Sequence, residues 1–445
     1  MRCAQYIVAS IIAVAAHRSC WVHAFGVSIS ARTSVSALAS ASSMKTQATC
    51  RSTTAATCST RLSVSTIAED IQRLQPELGE DDLYMTPPEP RNIDPPMAGA
   101  VMKMLPKETW DVDTPTSLFY FAVDLLAVVS TMGFLDIVVT SDTYHALPMW
   151  GQALTVAPLQ VLTGFAMWCM WCIGHDAGHG TISKDAKWLN RVVGEIAHSA
   201  ICLTPFLPWA LSHRKHHLNH NHLENDYSHQ WFIREERENL HPLIKASHFT
   251  RNLQLPILYF VYLLTGIPDG GHVLFYGRMW EGHSFKEKAN AALSVVVSAT
   301  TACALWSSMG TSDFTVVCMV PWLVMSFWLF MVTYLQHHSD DGKLYTDDTF
   351  TFERGAFETV DRDYGKWINR MSHHMMDGHV IHHLFFTKVP HYRLEEATSA
   401  LVKGMNERGQ GDMYKSIDTP HFTQEIVKQF NENWFFIDEK QVVRK

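Results

Sequence analysis

The chain has 445 residues, 47% of them hydrophobic and 18% charged, with a formal net charge of -8. That acidic balance argues against nucleic acid as a partner and against a broad basic membrane-binding patch. Length alone would allow two or three soluble domains of roughly 150 residues each, but the long apolar runs point to one membrane domain.

Residues 1–68 contain no Asp or Glu and are rich in Ser, Thr and Ala, the composition of a targeting leader. Within them Tyr6 to Ala16 forms an apolar core after Arg2, too short to span a bilayer. Phe25 and an acid-free tail with Arg32, Lys45, Arg51 and Arg61 follow. A signal-like core before a transit-like tail resembles the two-part leader of complex plastids. A plain endoplasmic reticulum leader or a disordered tail is the alternative. From residue 69 to 106 the chain turns acidic, and Pro87, Pro88, Pro90, Pro95 and Pro96 prevent a regular helix, so this stretch reads as a linker and entry arm.

Four runs are long enough for a hydrocarbon core of roughly 30 Å, which takes about 20 apolar residues. They are Ser117 to Val139, Gln152 to Ile173, Ala291 to Met309 and Phe314 to Leu335. Asp124, in the first, is expected to face the bundle interior or water, or else to mark the span's end. Two shorter runs, Ile196 to Leu211 and Leu253 to Ile267, are broken by prolines and by Pro268-Asp-Gly-Gly271 and read as interfacial or re-entrant. The expected fold is an all-α integral membrane protein of four transmembrane helices in two hairpins.

Three histidine clusters follow long apolar stretches: His175-D-A-G-His179, His213-R-K-His216-His217 and His379-V-I-His382-His383. Residues three and four apart share a helix face, so each cluster can aim its imidazoles at one point. Neutral imidazoles are good ligands for first-row metals, and eight of them can hold two ions. With four spans, parity places all three clusters on one side of the bilayer as a metal-binding cap. A histidine-rich metal carrier would instead place its ligands inside helices near mid-bilayer. His198, His241, His248, His272 and His283 match no ligand spacing and are read as ordinary interfacial residues. Among nine cysteines, four lie in the leader, and Cys169-M-W-Cys172 sits in the second span without a second pair, which suits core packing.

The tracts "HRKHHLNHNHLEND" from His213, "TVDRDYG" from Thr359, and "HVIHHLF" from His379 leading to "PHYRLEEAT" from Pro390 resemble the membrane-bound fatty acyl desaturases of the methyl-end group, which holds the Δ12 and ω3 enzymes. The likeness covers about Leu105 to Thr398. It implies a desaturase domain over 107–400 followed by a tail over 401–445. Asp176 with Gly180, Glu224-Asn-Asp226 and Ile381 lean toward the ω3 type. Ala177, where that type usually has Cys, and Phe386-Thr-Lys388 depart from it.

The resemblance implies two iron ions, O2 as co-substrate, a lipid-bound acyl chain, and a separate electron donor. That donor would be ferredoxin in a plastid or cytochrome b5 in the endoplasmic reticulum. His175, His179, His213, His216, His217, His379, His382 and His383 carry over as iron ligands. His337, at the end of the fourth span, is the expected ninth, with His338 as the other choice. Asp176, Glu224, Asp226, Asp361, Asp363, His220 and His222 are expected to support them, and Trp322, Phe327 and Trp328 to shape the acyl channel. Acyl hydroxylases share similar clusters and are an alternative activity.

Overall fold

A computed structural model of the chain describes residues 94–445 except 227–228, 230, 256–260 and 264–270. The leader over 1–68, most of the 69–106 linker and much of the Leu253 to Ile267 run lie outside the described residues.

Helix α1 spans Thr114–Val139, and the Asp113 carboxylate caps it by accepting the Thr116 N–H at 2.9 Å. Its 26 residues extend about 39 Å at 1.5 Å per residue, enough to cross a bilayer core. Val128, Met132, Leu135 and Val139 point inward at helical spacing, while Phe119, Val123, Leu126, Phe134 and Ile137 are exposed on the opposite face. An apolar outward stripe of this kind suits contact with lipid tails.

Asp124 belongs to the inward face. Its Oδ2 lies 2.6 Å from Nε2 of His373, and both side chains are buried. His373 and His374 both carry left-handed backbones, with φ of 58° and 55°, and this uncommon turn brings the imidazole back to α1. The acid is thus paired inside the bundle.

Helix α2, Met149–His179, stops at Gly180, whose φ of 78° gives the left-handed turn common after a helix end. Its last turn carries His175 and His179. Trp168, Cys169, Trp171 and Cys172 are all buried on it, so the C-x-x-C pair is core. The Ile196 to Leu211 run divides at Pro205. Helix α3, Lys187–Gly194, passes into a buried π-helical turn, Glu195–Ile201, and helix α4, Phe206–Asn219, carries the second histidine cluster.

The expected third and fourth spans fall within one 53-residue helical stretch, Phe285–His337. It contains helix α5, Phe285–Phe314, started by a Ser284/Glu287 capping box, then a π-helical turn, then helix α6, Val320–His337. A straight helix of that length would reach about 80 Å, far beyond one crossing. Gly310 breaks it with φ 79° and ψ 168°, a conformation costly for any residue with a Cβ. With α1 and α2, three helical stretches among the described residues are long and apolar enough to cross a membrane.

Helix α2 lies between α1 and α6 and touches both. Gly164 allows the second contact, since a Cβ there would come within 2.4 Å of Val324 Cβ and 2.7 Å of the Pro321 carbonyl oxygen. Small residues at such crossings let membrane helices approach closely.

Helices dominate, as expected of an all-α membrane fold, with short strands added on the histidine-bearing side. Among the described residues three parallel two-stranded pairs occur: Val360–Asp363 with Lys415–Asp418, Phe232–Ile233 with Phe436–Ile437, and Leu344–Tyr345 with Val442–Val443. Each joins a segment beyond residue 414 to a loop of the cap, satisfying backbone groups that irregular segments would leave unpaired. Helix α7, His379–Phe385, lies over helix α8, Leu394–Glu407, in a separate apolar core with Val380, Ile381, Leu384 and Leu401. Helix α9, Phe422–Glu432, seats Phe430 against Phe330 and Tyr334 of α6.

Gly164→Val should destabilise the protein by about 1–3 kcal/mol through overpacking, read as a lower melting temperature of the detergent-solubilised chain, while the exposed Val123→Ala should leave it nearly unchanged.

Candidate metal centre

The three histidine clusters meet. His175 and His179 come from the last turn of α2, His213, His216 and His217 from α4, His337 from the last residue of α6, and His379, His382 and His383 from α7. Their side chains form two adjoining groups. In the first, His175, His179, His213, His217 and His382 place donor atoms within 4.8 Å of one another; the second is built of three overlapping triples, His216 with His220 and His383, His216 with His229 and His337, and His337 with His379 and His383.

Nitrogen spacing identifies what such a group can do. Nε2 of His175 and His179 are 3.2 Å apart, those of His213 and His217 3.0 Å, those of His217 and His382 3.2 Å, and those of His216 and His337 3.3 Å. Two nitrogens each about 2.1 Å from one metal ion are about 3.0 Å apart at a right angle and about 3.4 Å apart at a tetrahedral one. The observed separations fall in that window. Hydrogen bonding alone cannot account for them, because Nε2 of His217 faces two other Nε2 atoms and a ring nitrogen carries either one proton or one lone pair. The donor set therefore fits metal ions.

Burial sets the protonation these rings need. It pushes His213, His217, His379, His382 and His383 well below the usual imidazole range, and neighbouring imidazoles push the same way. Neutral rings with free lone pairs result. Asp226 takes the opposite part: burial alone would raise its pKa, but His216 and the other rings around it hold it well below the usual carboxylate range. A carboxylate can only accept, so its Oδ1, 2.8 Å from His216 Nδ1, fixes the proton on that nitrogen and leaves Nε2 to face the cluster.

The other expected supports divide. Asp176 accepts both the backbone N–H of His391 at 3.0 Å and its Nδ1 at 2.9 Å, and lies 3.5 Å from His175 Nδ1. Asp361 holds the start of α7, accepting from Val380 N–H at 2.9 Å and from the Tyr414 hydroxyl at 2.7 Å. Burial raises Asp361 to about 7 despite those two donors. Asp363 serves a turn, binding Gly365 and Asn369, and reaches none of the clustered rings. His222 pairs with the exposed Asp347 and lies 3.4 Å from Glu224. Neither acid reaches a box histidine.

His338 turns away: its Nδ1 faces the Tyr334 carbonyl at 2.8 Å and its ring stacks on Tyr334 at 3.7 Å. His198 and His272, read as interfacial, are fully buried. Each finds a backbone carbonyl, of Trp171 at 3.0 Å and of Leu263 at 3.1 Å, which makes burial of a neutral ring affordable. His229, His373 and His391 were not singled out by spacing. Only His391 had a signal, since it lies inside the "PHYRLEEAT" tract.

A small cavity of about 30 Å³ borders both groups. Histidines of both groups line one side, and Trp168, Trp171, Trp209, Leu329, Val332 and Met375 supply apolar walls. Trp322, Phe327 and Trp328, expected to shape such a channel, do not line it. Trp322 instead donates to the Cys202 carbonyl at 2.6 Å, and Trp328 packs on Phe165 and Phe422.

Helical stretches long and apolar enough to cross a membrane, with buried imidazole groups able to hold metal at their ends, define a helical membrane protein with a candidate metal centre. Sequence comparison agrees: residues 151–415 match the fatty acid desaturase family. A Δ12 fatty acid desaturase of Caenorhabditis elegans is 32% identical over 348 residues, covering 77% of this chain and 85% of the relative. An acyl-lipid ω3 desaturase (cytochrome b5) of the endoplasmic reticulum of Arabidopsis thaliana is 32% identical over 354 residues, covering 78% and 86%. A chloroplastic sn-2 acyl-lipid ω3 desaturase (ferredoxin) of Helianthus annuus is 31% identical over 345 residues, covering 76% and 73%. The chain belongs to the fatty acid desaturase family and is an oxidoreductase.

Two outcomes follow for metal retention. Asp226→Ala removes the acceptor behind His216 and should weaken metal binding about 10–100-fold, measured by competition with a chelator. The lowered imidazole pKa values also set a pH window: below about 6.5 an unfolded chain takes up protons that these buried rings refuse. Stability of the metal-free protein should therefore be constant, as far as these rings contribute, above that pH and fall as the pH drops below it, read from melting temperatures across pH 5 to 8.

Proposed function

We propose that this protein is an O2-dependent acyl desaturase that introduces a cis double bond near the methyl end of an unsaturated lipid-bound chain, most specifically the ω3 bond of linoleoyl lipids. The observation that carries the reading is the convergence of buried imidazoles from all three clusters beside the apolar side chains of Trp168, Trp171, Leu329 and Val332. An acyl chain approaching past those side chains would bring a methylene toward the imidazoles.

In this reading the chain crosses the bilayer four times as two hairpins, α1 with α2 and α5 with α6, the second turning near Gly310. The nine histidines His175, His179, His213, His216, His217, His337, His379, His382 and His383 hold two iron ions. Bound iron would supply the activation of O2 needed to remove hydrogen from an unactivated methylene, with water as the other product. The protein's own residues hold the rings neutral, fix His216 through Asp226 and anchor the third cluster through Asp361. The aromatic walls exclude water and orient the substrate.

The ω3 assignment rests on the Asp176, Glu224-Asn-Asp226 and Ile381 features and on ω3 names among the relatives. The nematode relative named for Δ12 activity is equally similar and favours the second reading, Δ12 desaturation of oleoyl lipids. The acid-free leader favours a plastid membrane with ferredoxin as electron donor. An endoplasmic reticulum membrane with cytochrome b5 is the counterpart. Residues 1–68 would act as the leader, 69–106 as the linker, 107–400 as the desaturase domain and 401–445 as a tail packed on the cap.

Yeast expressing the chain without residues 1–68, together with ferredoxin, and supplied with oleate and linoleate, tests the activity by mass spectrometry of double-bond position. A new bond three carbons from the methyl end of linoleate is expected. Linoleate formed from oleate would replace the ω3 reading with Δ12, and hydroxylated or unchanged acids would remove both. A fluorescent fusion of residues 1–68 should label plastids; reticulum labelling would exchange the proposed donor.

A further inference from the structure

His220 lies just past the second histidine cluster, one helical turn beyond His216. Helix α4 ends at Asn219, and His220 leaves it with φ -53° and ψ 129°. Asn221 follows with a left-handed φ of 57°. Asn tolerates that conformation better than most residues. The reversal keeps the His220 ring beneath α4, where its centroid lies 4.4 Å from that of His337, 4.6 Å from His383 and 5.2 Å from His216.

The ring is 1% exposed; Nε2 has no hydrogen-bond partner, and Nδ1 has only a long contact to the Asp226 carboxylate. An imidazole nitrogen buried without a partner loses its hydration with nothing in exchange. Two further facts say what is meant to occupy it. One ring nitrogen lies within 4.8 Å of the donor nitrogens of His216 and His383. Nδ1 lies 3.5 Å from Oδ2 of Asp226, whose Oδ1 already holds Nδ1 of His216. One carboxylate thus faces the Nδ1 of two imidazoles, the kind of support by which metal-bound histidines are held.

We propose that His220 is a tenth metal-binding imidazole, joining His216, His337, His379 and His383 and giving the second group five donors, as many as the first. This rests on the nine-histidine reading above. His229 is the competitor, since its Nδ1 also lacks a partner. Asp226 holds the His229 backbone N–H at 3.3 Å but does not back its ring, so the ring's direction is not fixed in the same way.

The test is Mössbauer spectroscopy of the full chain, purified in detergent and loaded with Mössbauer-active iron, comparing the wild type with His220→Ala, His220→Gln, His229→Ala and, as a control in the same loop, His222→Ala. In both His220 variants half of the iron signal is expected to shift or disappear while the other half is unchanged, and added imidazole is expected to restore it in His220→Ala. His222→Ala should match the wild type. Unchanged spectra in the His220 variants, or the same change produced by His229→Ala instead, would overturn the proposal. Equal losses of melting temperature in His220→Gln with and without metal would make the residue a packing element and also overturn it. Wild-type protein that binds no iron through imidazole would remove the nine-histidine reading itself, a separate result.

Discussion

Everything on the histidine-bearing side depends on keeping a crowd of buried imidazoles uncharged. Several positive rings at centroid separations near 5 Å, away from water, would repel one another strongly. As neutral groups with their protons held on Nδ1, as Asp226 holds that of His216, they face one another with lone pairs that repel at 3.0–3.3 Å unless a cation lies between them. The same arrangement that is poor as a protein core is suitable as a donor set. That opposition explains why so many elements converge on one place.

The surrounding structure supplies direction and rigidity. Helix ends deliver the rings: the last turn of α2, most of α4, the final residue of α6 and the short α7 each bring one set. Carboxylates then fix what helix geometry leaves free, Asp226 behind His216 and Asp361 at the first turn of α7. The Asp124 and His373 pair ties the first span to the chain that leads into the third cluster. A buried polar group left without its partner is costly, so the pair also fixes how that loop sits on α1.

Much of this was legible in the sequence because it follows short periods. Apolar runs of bilayer length and histidines at three- and four-residue spacing are local patterns, and they pointed to the long helices and to the eight cluster histidines that the structure brings together with His337, His220 and His229. His337 was found from its position at a span's end. What the sequence did not reveal depends on contacts between distant residues. His391 meets Asp176 across 215 positions and His373 meets Asp124 across 249, and neither has a spacing signature. The cavity walls were missed for the same reason: Trp322 and Trp328 sit in a span that touches the site, but side-chain direction, set by packing with α2 and α9, turns them elsewhere. Short parallel strands of two to four residues are too brief to leave a periodic trace.

The parallel strand pairs also impose an order of assembly. Residues 415–443 are synthesised after all three histidine clusters, yet they pair with loops at 232–233, 344–345 and 360–363. Until that segment is made, the strand 360–363, which carries Asp361, lacks its neighbour, and Asp361 lacks the Tyr414 hydroxyl. The cap therefore cannot be completed before that segment is made. A chain cut short before residue 414 would keep every clustered histidine and lack both these strand partners and the Tyr414 hydroxyl, so its fault would lie in finishing the cap and not in supplying the rings.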